Sequence, residues 1–157
     1  MAAQTDFVME TPVGRVRLIT DDQQLLNLEY ATRRPVTKGR LSPTAQQVKD
    51  QIQRYFDSAH SPFNIKFVLQ GTAFQQRVWQ ALLAIPVGQT KTYGDVAKQL
   101  NSSARAVGNA CRVNPIPLVV PCHRVVAKNG IGGFSGETDG SCIRRKRWLL
   151  QHEGVML

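Results

Sequence analysis

The pattern of apolar and polar positions changes character near Gly71-Thr72. Before that point short apolar runs dominate. Phe7-Val8-Met9, Val16-Arg17-Leu18-Ile19 and Leu25-Leu26-Asn27-Leu28 read as strands, separated by turn signals at Pro12-Val13-Gly14 and Asp21-Asp22. Ser42-Pro43 places a hydroxyl N-cap before a proline at the first helical position, and Val48, Ile52 and Tyr55 or Phe56 then recur at helical spacing. Ile65 to Leu69 reads as a further strand. This half predicts a small α+β domain and holds no catalytic cluster.

After Gly71 the period becomes helical. Thr72 and Gln75 match a capping box, with Phe74, Val78, Leu82 and Ile85 on one face until Pro86-Val87-Gly88 ends the helix. Thr92 caps a short helix containing Val96, Ala97 and Leu100; Asn101-Ser102-Ser103 forms a tight turn; a second helix runs from Ala104 to Arg112 and stops before Asn114-Pro115. Two short helices around a polar turn make a helix-turn-helix candidate, although helix pairs also occur without DNA binding. Gly130 to Gly140 is glycine-rich but lacks the order of a phosphate-binding loop, and reads as a mobile loop. Ser141 opens a last helix that reaches His152, with Arg144, Arg145, Lys146 and Arg147 in its early turns, a run assigned to solubility or an anionic partner.

Charge sharpens the division. Residues 1–72 carry 9 basic and 7 acidic side chains, a net of +2, whereas residues 73–157 carry 11 and 4, a net of +7. Such an excess favours an acidic partner, most often nucleic acid, over a merely soluble surface. With 157 residues and 42% apolar content the chain can bury a core without staples. No apolar run approaches the roughly 20 residues that span a bilayer, and the N-terminus lacks a signal-peptide pattern. The expectation is a cytoplasmic monomer with no membrane contact. The 3 cysteines, Cys111, Cys122 and Cys142, form no CxxC and no zinc spacing, and read as free thiols.

The densest chemical signal is Val119-Val120-Pro121-Cys122-His123-Arg124-Val125-Val126. A strand-like run delivers a thiol beside an imidazole and a guanidinium, groups that raise the thiolate fraction. Neighbours in a strand face opposite ways, so contact between Cys122 and His123 needs a bend or a bridging water. A buried structural cysteine is the competing reading. Cys111 and Cys142 lack such surroundings and read as packing residues.

Pro121-Cys122-His123-Arg124-Val125 resembles the PCHRV signature of the O6-alkylguanine-DNA alkyltransferases, or methylated-DNA–protein cysteine methyltransferases. Phe74-Gln75-Gln76-Arg77-Val78-Trp79, Thr92-Tyr93-Gly94, Ala104-Arg105-Ala106-Val107-Gly108, Asn114-Pro115-Ile116-Pro117 and Trp148-Leu149-Leu150-Gln151-His152-Glu153-Gly154 are similar to that family, in its order. The resemblance is strong over residues 71–157 and coarse before them. It implies a small RNase H-like α/β domain over residues 1–70 and a winged-helix-like, helix-turn-helix domain over residues 71–157. It also implies an irreversible, single-turnover transfer of an alkyl group from O6-alkylguanine in DNA to Cys122, with O4-alkylthymine as a second candidate substrate and no cofactor.

On the same resemblance, His123 is the base acting through water, Glu153 orients it, Asn114 bonds backbone near the turn, and Tyr93 rotates the target phosphate and donates a proton to guanine N3. Plainer roles compete: a solvated helix end for Glu153, a half-buried core aromatic for Tyr93. Arg105 resembles a finger that fills the stack vacated by a flipped base, a phosphate contact being the simpler role. Gln75, Gly94, Asn101, Ser102, Ala106 and Lys128 are the further expected contacts to double-stranded DNA, through its minor groove. Pro117, Val125, Phe134, Ser135 and Gly136 are expected to line the base pocket. Phe134 stands where the family usually has tyrosine, and the Glu137 to Cys142 loop is about five residues longer than usual. No cysteine precedes Cys111, so no cysteine-bound zinc is expected in the first domain. A lesion-binding module without transfer, and a cysteine hydrolase that turns over repeatedly, are the rival function classes.

Overall fold

The computed structural model describes residues 3–132 and 140–157. The chain divides into two compact units, Met1–Leu69 and Gln70–Leu157, of mixed α+β class. In the first, β1 (Thr5–Met9), β2 (Val16–Thr20) and β3 (Leu25–Tyr30) form an antiparallel meander in that order. Phe7 pairs with Leu18, and Leu18 with Leu28, so all three lie on one buried face. Helix α1 (Pro43–Asp57) covers it with Ala45, Val48, Ile52 and Tyr55. Ser42 caps α1 by accepting from the Ala45 N–H at 3.2 Å.

One expected strand is absent. Residues 65–69 make a single bridge, Leu25 to Phe67, held by the Leu25 N–H on the Lys66 carbonyl at 2.8 Å. None of these five residues is buried, so no apolar face drives the run to extend its pairing.

The second unit opens with α2 (Ala73–Leu83), where Thr72 and Gln75 complete the expected capping box. Strand β4 (Lys91–Thr92) leads into α3 (Tyr93–Gln99), capped by a second box between Thr92 and Asp95. Asn101, at φ 55°, makes the left-handed turn that asparagine tolerates, and Ser103 caps α4 (Ala104–Arg112). These two helices are the expected helix-turn-helix. Trp79 on α2 donates its indole N–H to the Ala110 carbonyl at 3.0 Å, tying the pair to the core. A 3-10 turn (Cys122–Arg124) and β5 (Val125–Val126) follow, and α5 (Ser141–His152) closes the unit. β4 and β5 pair in parallel, Lys91 with Val125 and Thr92 with Val126. That pairing fixes the start of α3 beside the turn that carries Cys122.

The basic run of α5 is not a solvated face. Lys146 is fully buried and Arg145 nearly so, while Arg144 and Arg147 are exposed. Ile143, Lys146, Leu149, Leu150 and Glu153 recur at helical spacing, which turns Lys146 inward with its apolar neighbours.

Removing the cap hydroxyl in Thr72→Ala costs about 1 kcal/mol of stability. Denaturant unfolding followed by Trp79 and Trp148, both in the second unit, reads this loss directly.

Candidate active site

The approach to Cys122 is a strained loop. Leu118 is buried at φ 78°, and the Val120 N–H reaches back to the Ile116 carbonyl at 2.9 Å. Pro121 then ends the extended path. The Cys122 N–H bonds the Val120 carbonyl at 2.8 Å and the Arg124 N–H bonds the Pro121 carbonyl at 3.0 Å. Cys122 and His123 therefore sit in a tight turn, not in a strand as expected. The turn is the bend that two neighbouring side chains need to serve one site.

Cys122 is 3% exposed, His123 1% and Glu153 2%. His123 Nε2 lies 2.8 Å from Glu153 Oε2. The ring nitrogen facing a carboxylate carries the proton, which leaves Nδ1 with its lone pair. Among the described residues Nδ1 has no hydrogen-bond partner. Glu153 is gripped from its other side by Arg124, Nε to Oε1 at 2.8 Å and Nη2 to Oε2 at 3.1 Å. Arg124 Nη1 also donates to the Ile85 carbonyl at 2.6 Å, beyond the end of α2. Burial holds His123 below its ordinary value while Glu153 pulls upward, so the imidazole is neutral near pH 7.

Asn114 organises the turn. Its amide nitrogen donates to the Val120 carbonyl at 2.9 Å and its oxygen accepts from the Ile116 N–H at 2.9 Å, and its side chain favours the ionised form of the Cys122 sulfur. Burial raises the Cys122 thiol, with Asn114 and then Lys146 opposing. Lys146 Nζ donates to the Val125 carbonyl at 2.6 Å and to Tyr93 Oη at a longer 3.4 Å, and lies 5.5 Å from the centre of the Tyr93 ring. Tyr93 is half-buried and its hydroxyl is pushed above its ordinary value, chiefly by burial, so it stays a proton donor. Cys111, expected only to pack, lies within electrostatic reach of Cys122 and Lys146.

Cys122, His123, Glu153, Asn114, Tyr93 and buried Val125 thus gather around one turn, with Pro117 half-buried in the loop before it. Arg105, Asn101 and Ser102 are exposed at the head of α4, Ala106 is partly so, and Gly94 is exposed on α3. Lys128 is exposed just after β5. Gln75 is engaged locally, its oxygen accepting from the Thr72 N–H at 2.9 Å. Phe134, Ser135 and Gly136 lie outside the described residues. The sequence reads Arg124 as a cation beside the thiol and Lys146 as part of a solvated basic run, whereas Arg124 is bound to Glu153 and Lys146 is buried. The inward spacing of Lys146 on α5 was a usable signal; nothing in the local pattern tied Arg124 to a carboxylate 29 residues away.

A family model described as 6-O-methylguanine DNA methyltransferase, DNA binding domain, matches residues 73–155. The Salmonella typhimurium methylated-DNA–protein-cysteine methyltransferase is 39% identical, with 94% of each chain covered. The chain belongs to the methylated-DNA–protein-cysteine methyltransferases. The crystal structure of Mycobacterium tuberculosis O6-methylguanine methyltransferase superposes on this member with a TM-score of 0.80 at 36% identity, covering 96% of this chain and 93% of the other. The M. tuberculosis protein in complex with DNA gives 0.78 at 37% identity, covering 93% and 90%. Among the described residues no helix is long and apolar enough to cross a membrane.

The neutral, buried His123 of this methyltransferase has a consequence for pH. Its folded-state value is depressed, so the unfolded chain binds the proton more readily. The stability it contributes is present above the ordinary imidazole value of 6.5 and is lost as pH falls below it. Denaturant midpoints measured from pH 8 to 5 should fall with acid, and His123→Gln should flatten that part of the curve.

Proposed function

We propose that the chain repairs DNA by moving an alkyl group from O6 of guanine to the sulfur of Cys122. One observation carries this reading: the carboxylate–imidazole pair of Glu153 and His123 is buried in the turn that bears the thiol, with Nδ1 left as the base. A water between Nδ1 and the sulfur takes the thiol proton to the imidazole, and Glu153 stabilises the resulting cation. The thiolate attacks the alkyl carbon as the bond from that carbon to O6 breaks. The electron pair goes to guanine, which Tyr93 protonates at N3. The product is a thioether. Water does not hydrolyse it as it would an acyl-enzyme, so each molecule acts once.

The target atom is stacked inside duplex, so the base is flipped out at a cost of a few kcal/mol. Arg105, exposed at the second position of α4, fills the gap. Asn101, Ser102, Gly94, Ala106 and Lys128 serve as backbone contacts in the minor groove, aided by the net +7 of residues 73–157. The DNA complex of the M. tuberculosis relative supports this part of the reading. Pro117 and Val125 line the base pocket; O4-alkylthymine enters it as a second substrate. The protein acts as a monomer in the cytoplasm, in two domains of residues 1–70 and 71–157, and needs no cofactor.

After incubation with duplex containing O6-methylguanine, the Cys122 peptide should gain one methyl by mass spectrometry. Methyl on Cys111 or Cys142 instead overturns the assignment. Arg105→Ala should slow repair of duplex on the order of tenfold while sparing reaction with free O6-benzylguanine, because only the duplex requires unstacking. Equal losses on both substrates remove the finger role.

A further inference from the structure

Among the described residues Lys146 is the most deeply buried charged residue. Its relative exposure is 0%, although lysine is almost never fully buried without a compensating partner. The side chain is held, not loosely enclosed. Nζ donates to the Val125 carbonyl at 2.6 Å, three residues along from Cys122, and to Tyr93 Oη at 3.4 Å. The contact to Val125 anchors it to the first residue of β5, and β4 pairs with that same residue before running into Tyr93. One ammonium thus joins α5, the strand pair and the start of α3 at the edge of the acceptor turn.

A thiolate at Cys122 needs a nearby cation, because the sulfur is itself buried. Arg124 is bound to Glu153 through two of its nitrogens and to Ile85 through the third. His123 is held neutral. Lys146 is close enough for its charge to act on Cys122 and for both Cys122 and Cys111 to act back on it. From the geometry we infer that Lys146 is a positioning residue for alkyl transfer, supplying the fixed positive charge that keeps the Cys122 sulfur ionised while the base is attacked. The inference rests on Cys122 being the acceptor.

The surrounding groups set the sign of the pH effect. From α4, Cys111 bears on Lys146; from α3, Tyr93; from the acceptor turn, Cys122 and His123, the latter being pushed down by Lys146. Arg124 and Glu153 act on His123 in opposite senses. Burial pushes Lys146 down to about 8, and negative charge on Cys122, then on Cys111, would pull it back up. Its charge is therefore present at neutral pH and strengthens when Cys122 ionises. Transfer to the sulfur then removes the negative partner and leaves the ammonium more easily deprotonated. Cys122 and Lys146 titrate as a pair.

The test uses iodoacetamide, which needs no DNA, with labelling of Cys122 followed by peptide mass spectrometry across pH. Lys146→Met should slow labelling at pH 7 about tenfold and move the rate–pH curve to higher pH. A wild-type curve in a variant that still binds unmodified duplex overturns the inference. A second measurement leaves Lys146 in place: lysine nitrogen NMR should show Lys146 titrating at lower pH in Cys122→Ala than in the wild type. An unchanged titration overturns the inference even where Lys146→Met does not fold. Failure of the wild type to accept a methyl from O6-methylguanine DNA instead rejects the acceptor assignment, so the two failures are distinguishable.

Discussion

The second unit is organised around one buried carboxylate. Glu153 is buried, and among the described residues Arg124 meets it with two nitrogens and His123 with one. A charge so placed tolerates little movement, because losing one partner leaves it unpaired in a low-dielectric interior. Through Arg124 the same knot reaches the Ile85 carbonyl beyond α2, and through its own backbone it ends α5. The structural clamp and the base-orienting contact are therefore one object. Arg124 fixes the carboxylate, the carboxylate fixes the His123 tautomer, and the tautomer leaves Nδ1 as the acceptor.

A second constraint acts on the sulfur. Burial disfavours the thiolate, yet transfer needs it. The site answers with three groups of different kinds. Asn114 favours the ionised sulfur, neutral His123 is the base on the proposed reading, and Lys146 is a buried charge. None of them alone offsets full desolvation. On the proposed reading they act together, so that ionisation depends on the assembled turn and reactivity belongs to Cys122. Cys111 lies near the same charge and burial raises its thiol too, but it lacks the opposing contribution of Asn114 that Cys122 has.

Much of this was legible in the sequence. The hydroxyl caps at Ser42, Thr72, Thr92 and Ser103 fix helix starts by local chemistry, and local chemistry is what a sequence displays. The helix pair around Asn101 was readable for the same reason. The local pattern misleads where tertiary context decides. Residues 65–69 look like a strand, but no buried face claims them. Val119-Val120 look like a strand too, until Pro121 and the bonds of the 3-10 turn bend the chain. Charge alone groups Lys146 with its basic neighbours; its spacing from Ile143 and Leu149 is the better guide. The pairing of Cys122, His123 and Glu153 came from motif resemblance, since 30 residues separate the histidine from its carboxylate.

The central claim is that the sulfur accepts the group once and keeps it. Counting repaired guanine against protein under a large excess of O6-methylguanine duplex tests it most directly. The account requires a plateau at one guanine per protein molecule, with the spent protein inert to fresh substrate. Release that continues past one equivalent would contradict it and make the Cys122–His123 pair part of a turnover enzyme.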